Sequence, residues 1–307
     1  MNDPKPGQGL GRTLEALGLR YHDLGPSGKA PALLLLAGAE GADPSGQFVL
    51  SRLADLLRSA AEASHDKYRL GQRVILVPAV NGPRVGEAAA EFRANLAAAT
   101  AAVRCRVELL PPRAGCRELS QLHLFGAVQE ERESAFLFGL PAIVEQPSEA
   151  VPEASLSADW GHALGEDFLL LGGEPGKLDL GLGQSLYQGL LRFCIHRGIL
   201  EGEAPEGDED PHLFFGADTL ILRARCGGLF ASHLEVGRWV LSGETLGYLH
   251  DPFDGRLLDE IKAPVAGLVS ALRLQPMVAV GDRLVRILGR GPRSGHSRSE
   301  EEQEPDL

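Results

Sequence analysis

Hydrophobic and polar positions follow two alternating patterns in the first two-thirds of the chain. Residues 31–38 (PALLLLAG) form a short apolar run bounded by Pro and Gly, which is typical of a strand buried on both faces. In residues 46–57 the apolar positions recur at helical spacing, and Pro44 and Ser45 supply start signals for a helix. A second apolar run, residues 73–77, completes a strand–helix–strand unit. Such a unit predicts two parallel strands joined by a helix.

The same alternation continues to the last helix of this region. One Ala-rich stretch and two further stretches of helical periodicity predict helices, and two short apolar runs between them predict strands. The predicted helices are residues 88–103, 130–138 and 185–195, and the predicted strands are residues 104–110 and 142–145. Gly198 follows the last helix, at a position where helices commonly end. The pattern therefore predicts an α/β region.

The pattern changes after residue 200. Residues 201–211 (EGEAPEGDEDP) are acidic and rich in Gly and Pro, which is typical of a linker. Beyond them short β-like runs alternate with turn residues, and residues 224–230 (ARCGGLF) resemble residues 263–269 (APVAGLV). Each copy is followed by a Val-Gly turn, at Gly237 and at Gly281. Because equivalent glycines permit the same turn in both copies, the repeat predicts a small pseudo-symmetric β-barrel or sandwich.

These patterns divide the chain into five segments. The last segment is charged, Ser-rich and free of Phe, Trp and Tyr, so we expect it to be disordered. The predicted segments are an N-terminal segment (residues 1–29), an α/β domain (30–200), an acidic linker (201–211), a β domain (212–290) and a disordered tail (291–307).

Composition and charge exclude several classes of function. The chain has 307 residues, 44% of them hydrophobic, so it can bury a substantial core. A formal net charge of −12 opposes binding to nucleic acid, whose affinity for proteins comes largely from Lys and Arg. The N-terminus lacks a basic flank followed by an apolar core, and no run approaches the roughly 20 apolar residues that cross a bilayer. We therefore expect a cytoplasmic protein with no nucleic-acid partner and no membrane partner.

The four cysteines support a reducing compartment. Cys105, Cys116, Cys194 and Cys226 are scattered along the chain and lack CxxC spacing. Neither a zinc knuckle nor a disulfide framework has this distribution. We expect reduced thiols that act mostly as packing groups.

The second half of the chain carries a resemblance to a known family. The spacing of Gly, Pro and apolar residues in residues 222–284 resembles that of the zinc-dependent succinylglutamate desuccinylase/aspartoacylase family. Residues 186–202 (LYQGLLRFCIHRGILEG) look like the last catalytic-domain helix of that family. The resemblance covers about residues 30–290. It implies a zinc-carboxypeptidase-like mixed sheet flanked by helices, followed by a smaller C-terminal β-barrel or sandwich domain.

The positions that match the family's metal ligands are substituted. The resemblance places a GxHGxE loop after the first strand, where this chain has GAEGAD at residues 38–43. Glu40 and Asp43 therefore stand where the family has its His and Glu ligands. The family's third ligand, the His of a DLH strand end, corresponds to Leu110, which has no donor atom. His123 is an alternative ligand, although a lone His on an apolar segment is more often a packing group or a surface donor.

The family's catalytic and substrate-binding positions are also changed. Its general base is a Glu in a strand resembling TLELG, and the equivalent run here, LLLGG, places Leu171 at that position. Glu174, three residues later, is interpreted as a solvated loop acid because it precedes Pro-Gly. Asn81 matches the family's Asn after the second strand, but no DLNR-like segment supplies the substrate-binding Arg. Arg84 or Arg93 is left as a candidate to bind an acidic ligand.

Three hypotheses follow, and we expect the first. In the first, the chain is a non-catalytic descendant, a pseudoenzyme, that binds a small acidic metabolite or a protein partner and needs no cofactor. In the alternative, it is a metal-dependent hydrolase that cleaves the amide of an N-acyl amino acid and uses Glu40, Asp43 and His123 as ligands. Zinc is the family metal, but such an oxygen-rich set favours Mn²⁺ or Mg²⁺. In the third, the β domain joins the chain to an enzyme complex as a structural subunit.

Overall fold

The computed structural model describes residues 8–38, 43–82, 87–152, 155–160, 165–207 and 211–289. Within these residues, six α-helices are found. They are α1 (Gln8–Ala16), α2 (Pro44–Ala61), α3 (Glu87–Thr100), α4 (Gln129–Phe136), α5 (Leu156–Trp160) and α6 (Leu180–His196). The predicted helices correspond to α2, α3, α4 and α6. Helix α1 was not predicted, although Leu10, Leu14 and Leu17 follow helical spacing.

The described residues also form eighteen strands. Those of the first two-thirds are β1 (His22–Leu24), β2 (Leu33–Ala37), β3 (Arg69–Leu70), β4 (Val74–Val77), β5 (Cys105–Leu110), β6 (Cys116–Phe125), β7 (Ala142–Gln146), β8 (Glu166–Gly173) and β9 (Leu200–Glu201). Those of the last third are β10 (His212–Phe215), β11 (Thr219–Arg223), β12 (Gly228–Ala231), β13 (Trp239–Val240), β14 (Thr245–His250), β15 (Leu257–Lys262), β16 (Gly267–Arg273), β17 (Met277–Val278) and β18 (Arg283–Gly289).

One large mixed sheet organises the molecule. Its main path runs β1-β4-β2-β5-β8-β6-β16-β18-β11. Strand β2 is parallel to both β4 and β5, and β5 is parallel to β8. Strand β6 then runs antiparallel to β8. The predicted parallel strand–helix–strand unit is confirmed by β2, α2 and β4, and the mixed sheet agrees with the predicted fold class.

Helices cover both faces of this sheet. Alternate residues of β2 show this directly, because Leu33 and Leu35 pack in one core cluster while Leu34 and Leu36 pack in another. The first cluster includes residues of α2, α4 and α6, and the second includes residues of α1, α3 and α5. The LLLLA run of β2 is fully apolar because neither of its faces meets solvent.

The C-terminal strands form the predicted second β unit. A four-stranded sheet, β15-β14-β12-β17, and strands β16, β18 and β11 of the main sheet enclose a separate hydrophobic cluster. The two copies of the repeat have matching turns, since Gly237 and Gly281 have φ values of +90° and +86°. They also start their strands alike. A Cβ atom on Gly228 would meet a carbonyl oxygen at 2.7 Å, and one on Gly267 would meet another at 2.4 Å, so both positions require glycine.

The β unit is hydrogen-bonded to the α/β part. Strand β16 pairs antiparallel with β6, and β10 pairs parallel with β7. The division into five segments stays a prediction, and residues 291–307 lie outside the described residues. All four cysteines are unpaired, and three of them are buried. Among the described helices, none is long and apolar enough to cross a membrane.

Candidate functional site

Four predicted site residues that the structure describes lie at the carboxyl edge of the sheet, at or just after the carboxyl ends of the parallel strands: Asp43, Asn81, Leu110 and Leu171. Strands β2, β4, β5 and β8 end at this edge, and loops leave it toward the following helices. The backbone N–H of Val80, after β4, donates to the carbonyl of Ala37, the last residue of β2, at 2.8 Å. Ligands of open α/β sheets commonly bind outside the carboxyl ends of the strands. The candidate site is therefore this edge.

Asp43 is the N-cap of helix α2. Its side chain accepts a hydrogen bond from the backbone N–H of Gly46 at 3.0 Å, and Pro44 occupies the first helical position. The residue is 3% exposed, and burial raises the pKa of its carboxyl although the hydrogen bonds oppose this. Glu40, its proposed partner in metal binding, lies outside the described residues. The Glu40–Asp43 pair therefore stays a prediction.

Leu110 and Leu171 form an apolar group at the edge. They are register partners in the parallel pair of β5 and β8, and they are 5% and 9% exposed. Leu169 completes the buried group, and Phe125 packs against it. In the resemblance identified from the sequence, these two leucines are predicted to correspond to the family's third zinc ligand and its catalytic Glu. Neither side chain has an atom that binds a metal or carries a proton.

His123 lies on β6, beside Leu169 of β8, and both of its ring nitrogens have protein partners. Nδ1 lies 2.9 Å from the side-chain amide nitrogen of Gln146, and Nε2 lies 3.2 Å from the side-chain oxygen of Gln121. Burial, with smaller contributions from nearby arginines, holds the pKa of His123 well below its usual value. An amide that donates to Nδ1 fixes the neutral tautomer with its proton on Nε2. The imidazole is thus part of a buried hydrogen-bond network.

The described residues do not fit the zinc that the resemblance implies. Among the described part of the chain, no group of three or more His, Cys, Asp or Glu side chains could hold a metal ion. Of the two matching ligand positions that the structure describes, Leu110 has no donor atom and the carboxylate of Asp43 caps a helix. A catalytic zinc site needs about three protein ligands and an open position. The described residues therefore do not support a metal-dependent reaction step.

The predicted substrate-binding positions have different outcomes. Asn81 is exposed in the loop after β4, and Arg84 lies outside the described residues. Arg93 of α3 lies 3.5 Å from the carboxylate of Asp159 on α5, so it joins two helices. The interpretation of Glu174 as a solvated loop acid is wrong, because its side chain is only 15% exposed and contacts two cations.

Those cations are Lys177, at 2.7 Å, and Arg117 of β6, at 3.9 Å. Arg117 also donates to Asp179 at 3.1 Å, and the carboxylate of Asp179 caps helix α6 through the N–H of Leu182. This ionic group ties the loop after β8 to the neighbouring strand. The cations and carboxylates of this group neutralise one another, so we interpret it as a structural feature of the edge.

Sequence reasoning missed a second cleft, which contains one acid with a raised pKa. The cleft has a volume of ≈ 1140 Å³, and Phe125, Glu131, Glu166 and Arg197 are among its lining residues. Burial is the main reason that the pKa of Glu131 is raised to about 7, although its carboxylate accepts a hydrogen bond from a backbone N–H at 2.8 Å. The sequence predicted the helix that carries Glu131. It gave no signal for which of the three Glu residues in this helical stretch would have a raised pKa.

Comparison with solved structures gives several similar folds. A succinylglutamate desuccinylase/aspartoacylase from Rhodobacter sphaeroides matches with a TM-score of 0.68 and 20% identity, over 84% of this chain and 85% of that chain. An ectoine utilization protein from Ruegeria pomeroyi, solved with product bound, matches with a TM-score of 0.64 and 19% identity, over 84% and 85%. An aspartoacylase family protein from Mesorhizobium loti matches with a TM-score of 0.66 and 16% identity, over 89% and 90%.

The sequence itself matches no protein-family model and no curated protein. The structural matches nevertheless span both the α/β part and the C-terminal β unit, since each covers more than four-fifths of both chains. Identities near 20% establish a common fold, whereas activity depends on the residues at the site. The chain therefore has the fold of the succinylglutamate desuccinylase/aspartoacylase structures, which confirms, at the level of fold, the resemblance identified in its sequence.

Proposed function

We propose that this chain is a non-catalytic protein with the succinylglutamate desuccinylase/aspartoacylase fold, and that it binds a small acidic metabolite. The observation that carries this proposal is the contact group of Leu110 and Leu171 at the carboxyl edge. A hydrolase of this fold family needs a ligand at the first position and a carboxylate at the second. Without the carboxylate, no group there takes a proton from an attacking water.

The surroundings of the two leucines support the same conclusion. The carboxylate of Asp43 already accepts a hydrogen bond at the N-terminus of α2, so binding a metal would compete with its role as a helix cap. His123 would have to give up Gln146 or Gln121. Rebuilding a metal site here thus requires several coupled rearrangements. The apolar contact between Leu110 and Leu171 needs none of these rearrangements.

The cellular location is part of the proposal. Four unpaired cysteines, three of them buried, suit a reducing compartment, so we infer a cytoplasmic protein. A protein partner is the other form that binding could take, and copurification of a stoichiometric second chain would reveal it.

The test is a metal analysis combined with a hydrolysis assay. Purified protein is expected to contain no stoichiometric zinc and to release no acyl group from N-acetylaspartate or N-succinylglutamate with added Zn²⁺, Mn²⁺ or Mg²⁺. The control is the double variant Glu40→Ala, Asp43→Ala, which should behave like the wild type. Metal-dependent hydrolysis by the wild type that this double variant loses would establish the hydrolase instead.

A further inference from the structure

Four arginines line an open cleft at the junction between the main sheet and the C-terminal β unit. The cleft has a volume of ≈ 290 Å³. Its charged lining residues are Arg113, Arg223, Arg273, Arg283 and Asp282. Asp282 is the one carboxylate among the described residues that line it. This concentration of positive charge occurs in a chain whose net charge is −12, so it is not a consequence of overall composition.

The topology of the sheet brings these arginines together. Arg113 follows the end of β5, three residues after Leu110, and so lies on the same edge as the candidate site. Arg273 of β16 is the register partner of Cys116, the first residue of β6. Arg283 starts β18. The four side chains come from the loop after β5 and from strands β11, β16 and β18, so no single sequence motif contains them.

Two of the arginines face each other directly. Arg223, the last residue of β11, is the register partner of Arg283 in the antiparallel pair of β11 and β18. Like charges directly opposite each other on paired strands are destabilising. The lowered pKa of Arg283 reflects burial first and then the charges of Arg113 and Arg223. The folded chain thus holds these cations together against their repulsion.

The protein's own acceptors do not neutralise the cleft. Asp282 accepts from Arg273 at 3.0 Å, and the same oxygen also accepts from the backbone N–H of Ala279. Arg223 donates to the carbonyl of Gly281 at 2.9 Å, which leaves its charge unpaired. Within the described part of the chain, the guanidinium groups of Arg113 and Arg283 make no hydrogen bond and no ion pair with another protein group. The cleft therefore has free guanidinium donors.

The neighbouring Arg286, unlike Arg113 and Arg283 of the cleft, has several protein partners. It donates to Ser270 at 2.8 Å and to the side-chain oxygen of Gln121 at 2.8 Å, and it lies 3.8 Å from the buried carboxylate of Glu118. Its hydrogen-bonding capacity serves the junction between β6 and β18. The arginines of the cleft have no such set of partners, so their arrangement suits a ligand from solution.

We propose that the arginine cleft binds a small dianion, carried by a phosphate group or by two carboxylates. The planar fork of Arg matches both groups in a bidentate way, and a cleft lined by one sign of charge concentrates ions of the other sign. This proposal rests on the proposed function and extends it. It specifies where the acidic ligand binds and that the ligand carries two negative charges. Arg113 and Arg283 are the primary binding residues.

The experiment is isothermal titration of the purified full chain with inorganic phosphate and, separately, with succinate at matched ionic strength. Arg113→Ala and Arg283→Ala should each weaken binding about tenfold to a hundredfold, since a charge-assisted hydrogen bond contributes about that much. The control is Arg256→Ala, which removes an exposed cation of the β unit that pairs with Asp251 and Asp254. Its binding should stay within about twofold of the wild type.

Folding of the variants is checked by thermal unfolding. Arg283→Ala should melt no lower than the wild type, because the substitution removes a repelled charge, and a loss of binding then reports the cleft itself. Preference for phosphate or for succinate identifies the source of the dianion. The proposal is overturned if neither dianion binds the wild type at millimolar concentration, or if both arginine variants bind as tightly as the wild type.

The outcomes also separate this proposal from the proposed function. Binding of N-acetylaspartate that both arginine variants retain would reject the cleft and leave a non-catalytic binding protein in place. Metal-dependent hydrolysis by the wild type would reject the non-catalytic function. In that second case, dianion binding that still depends on Arg113 and Arg283 would keep the cleft as a site.

Discussion

Leu110 and Leu171 are register partners on adjacent parallel strands, and they belong to one buried apolar group. The sequence resemblance predicts that both positions correspond to polar residues of the family. A buried His and Glu there would each need hydrogen-bond partners. Two leucines pack against each other and need no polar partner. A change at one position therefore favours an apolar residue at the other, and the pair is expected to act as a unit in mutational cycles.

The first prediction concerns the carboxylate at this edge. Leu171→Glu should lower the free energy of unfolding by more than about 2 kcal/mol at pH 7, because it places an unpaired charge among apolar side chains. Burial raises the folded-state pKa of the new Glu, so the loss should grow as pH rises from the unfolded pKa through the folded one. Leu171→Met is the matched control and should cost less than about 1.5 kcal/mol. Urea unfolding at pH 5 and pH 8 measures both, and equal stability of the Glu and Met variants at pH 8 would show that the position is solvated.

The second prediction separates the capping role of Asp43 from a metal-binding role. Asp43→Ala should lower the free energy of unfolding by about 1 kcal/mol, because the N–H of Gly46 loses its acceptor. Asp43→Asn retains a good cap. Burial raises the pKa of the native carboxyl, which destabilises the charged form, so the Asn variant should be at least as stable as the wild type at pH 7. Thermal melts without metal test this, and a bound metal that the Asn variant loses would contradict it.

The third prediction follows from the raised pKa of Glu131. Its folded-state pKa is about 7, above its ordinary value of 4.5, so the native state holds a proton that the unfolded state releases. Between those two pH values stability should fall as pH rises. Glu131→Gln removes this dependence and should make the protein more stable than the wild type at pH 8, with little difference at pH 4.5. Denaturant unfolding across this range measures the effect, with exposed Glu130→Gln as the control.

The fourth prediction concerns the boundary between the two parts. Limited proteolysis should cut first between residues 201 and 211, where the chain is acidic and rich in Gly and Pro. The two fragments should stay together in gel filtration, because β16 is paired with β6 and β10 with β7. First cuts within residues 223–288 would contradict the boundary. Separation of the fragments without denaturant would show that the paired strands contribute little to cohesion.

The sequence predicted those elements whose patterns are local. The run at residues 31–38 and the helix of residues 46–57 were found within a few residues, because apolar spacing alone specifies them. Gly237 and Gly281 were correctly assigned to equivalent turns, since a positive φ is what glycine permits. The resemblance then supplied the order of the pieces, which the structural matches confirm as a fold.

Other features depend on contacts between distant residues. The hydrogen bond from Arg117 to Asp179 joins two residues that are 62 positions apart. The arginine cleft is assembled from four separate segments. Sequence spacing carries no information on such encounters, because they depend on strand order and register.

The pairing of strand β6 affects how the chain folds during its synthesis. One half of β6 pairs with β7, and the other half, around Cys116 and Glu118, pairs with β16, which is synthesised much later. Until β16 leaves the ribosome, that half of β6 presents an unpaired strand edge to solvent and to other chains. A chain that stops before residue 267 would keep this edge permanently open. Translation arrest or C-terminal truncation should therefore produce aggregation rather than a free α/β domain.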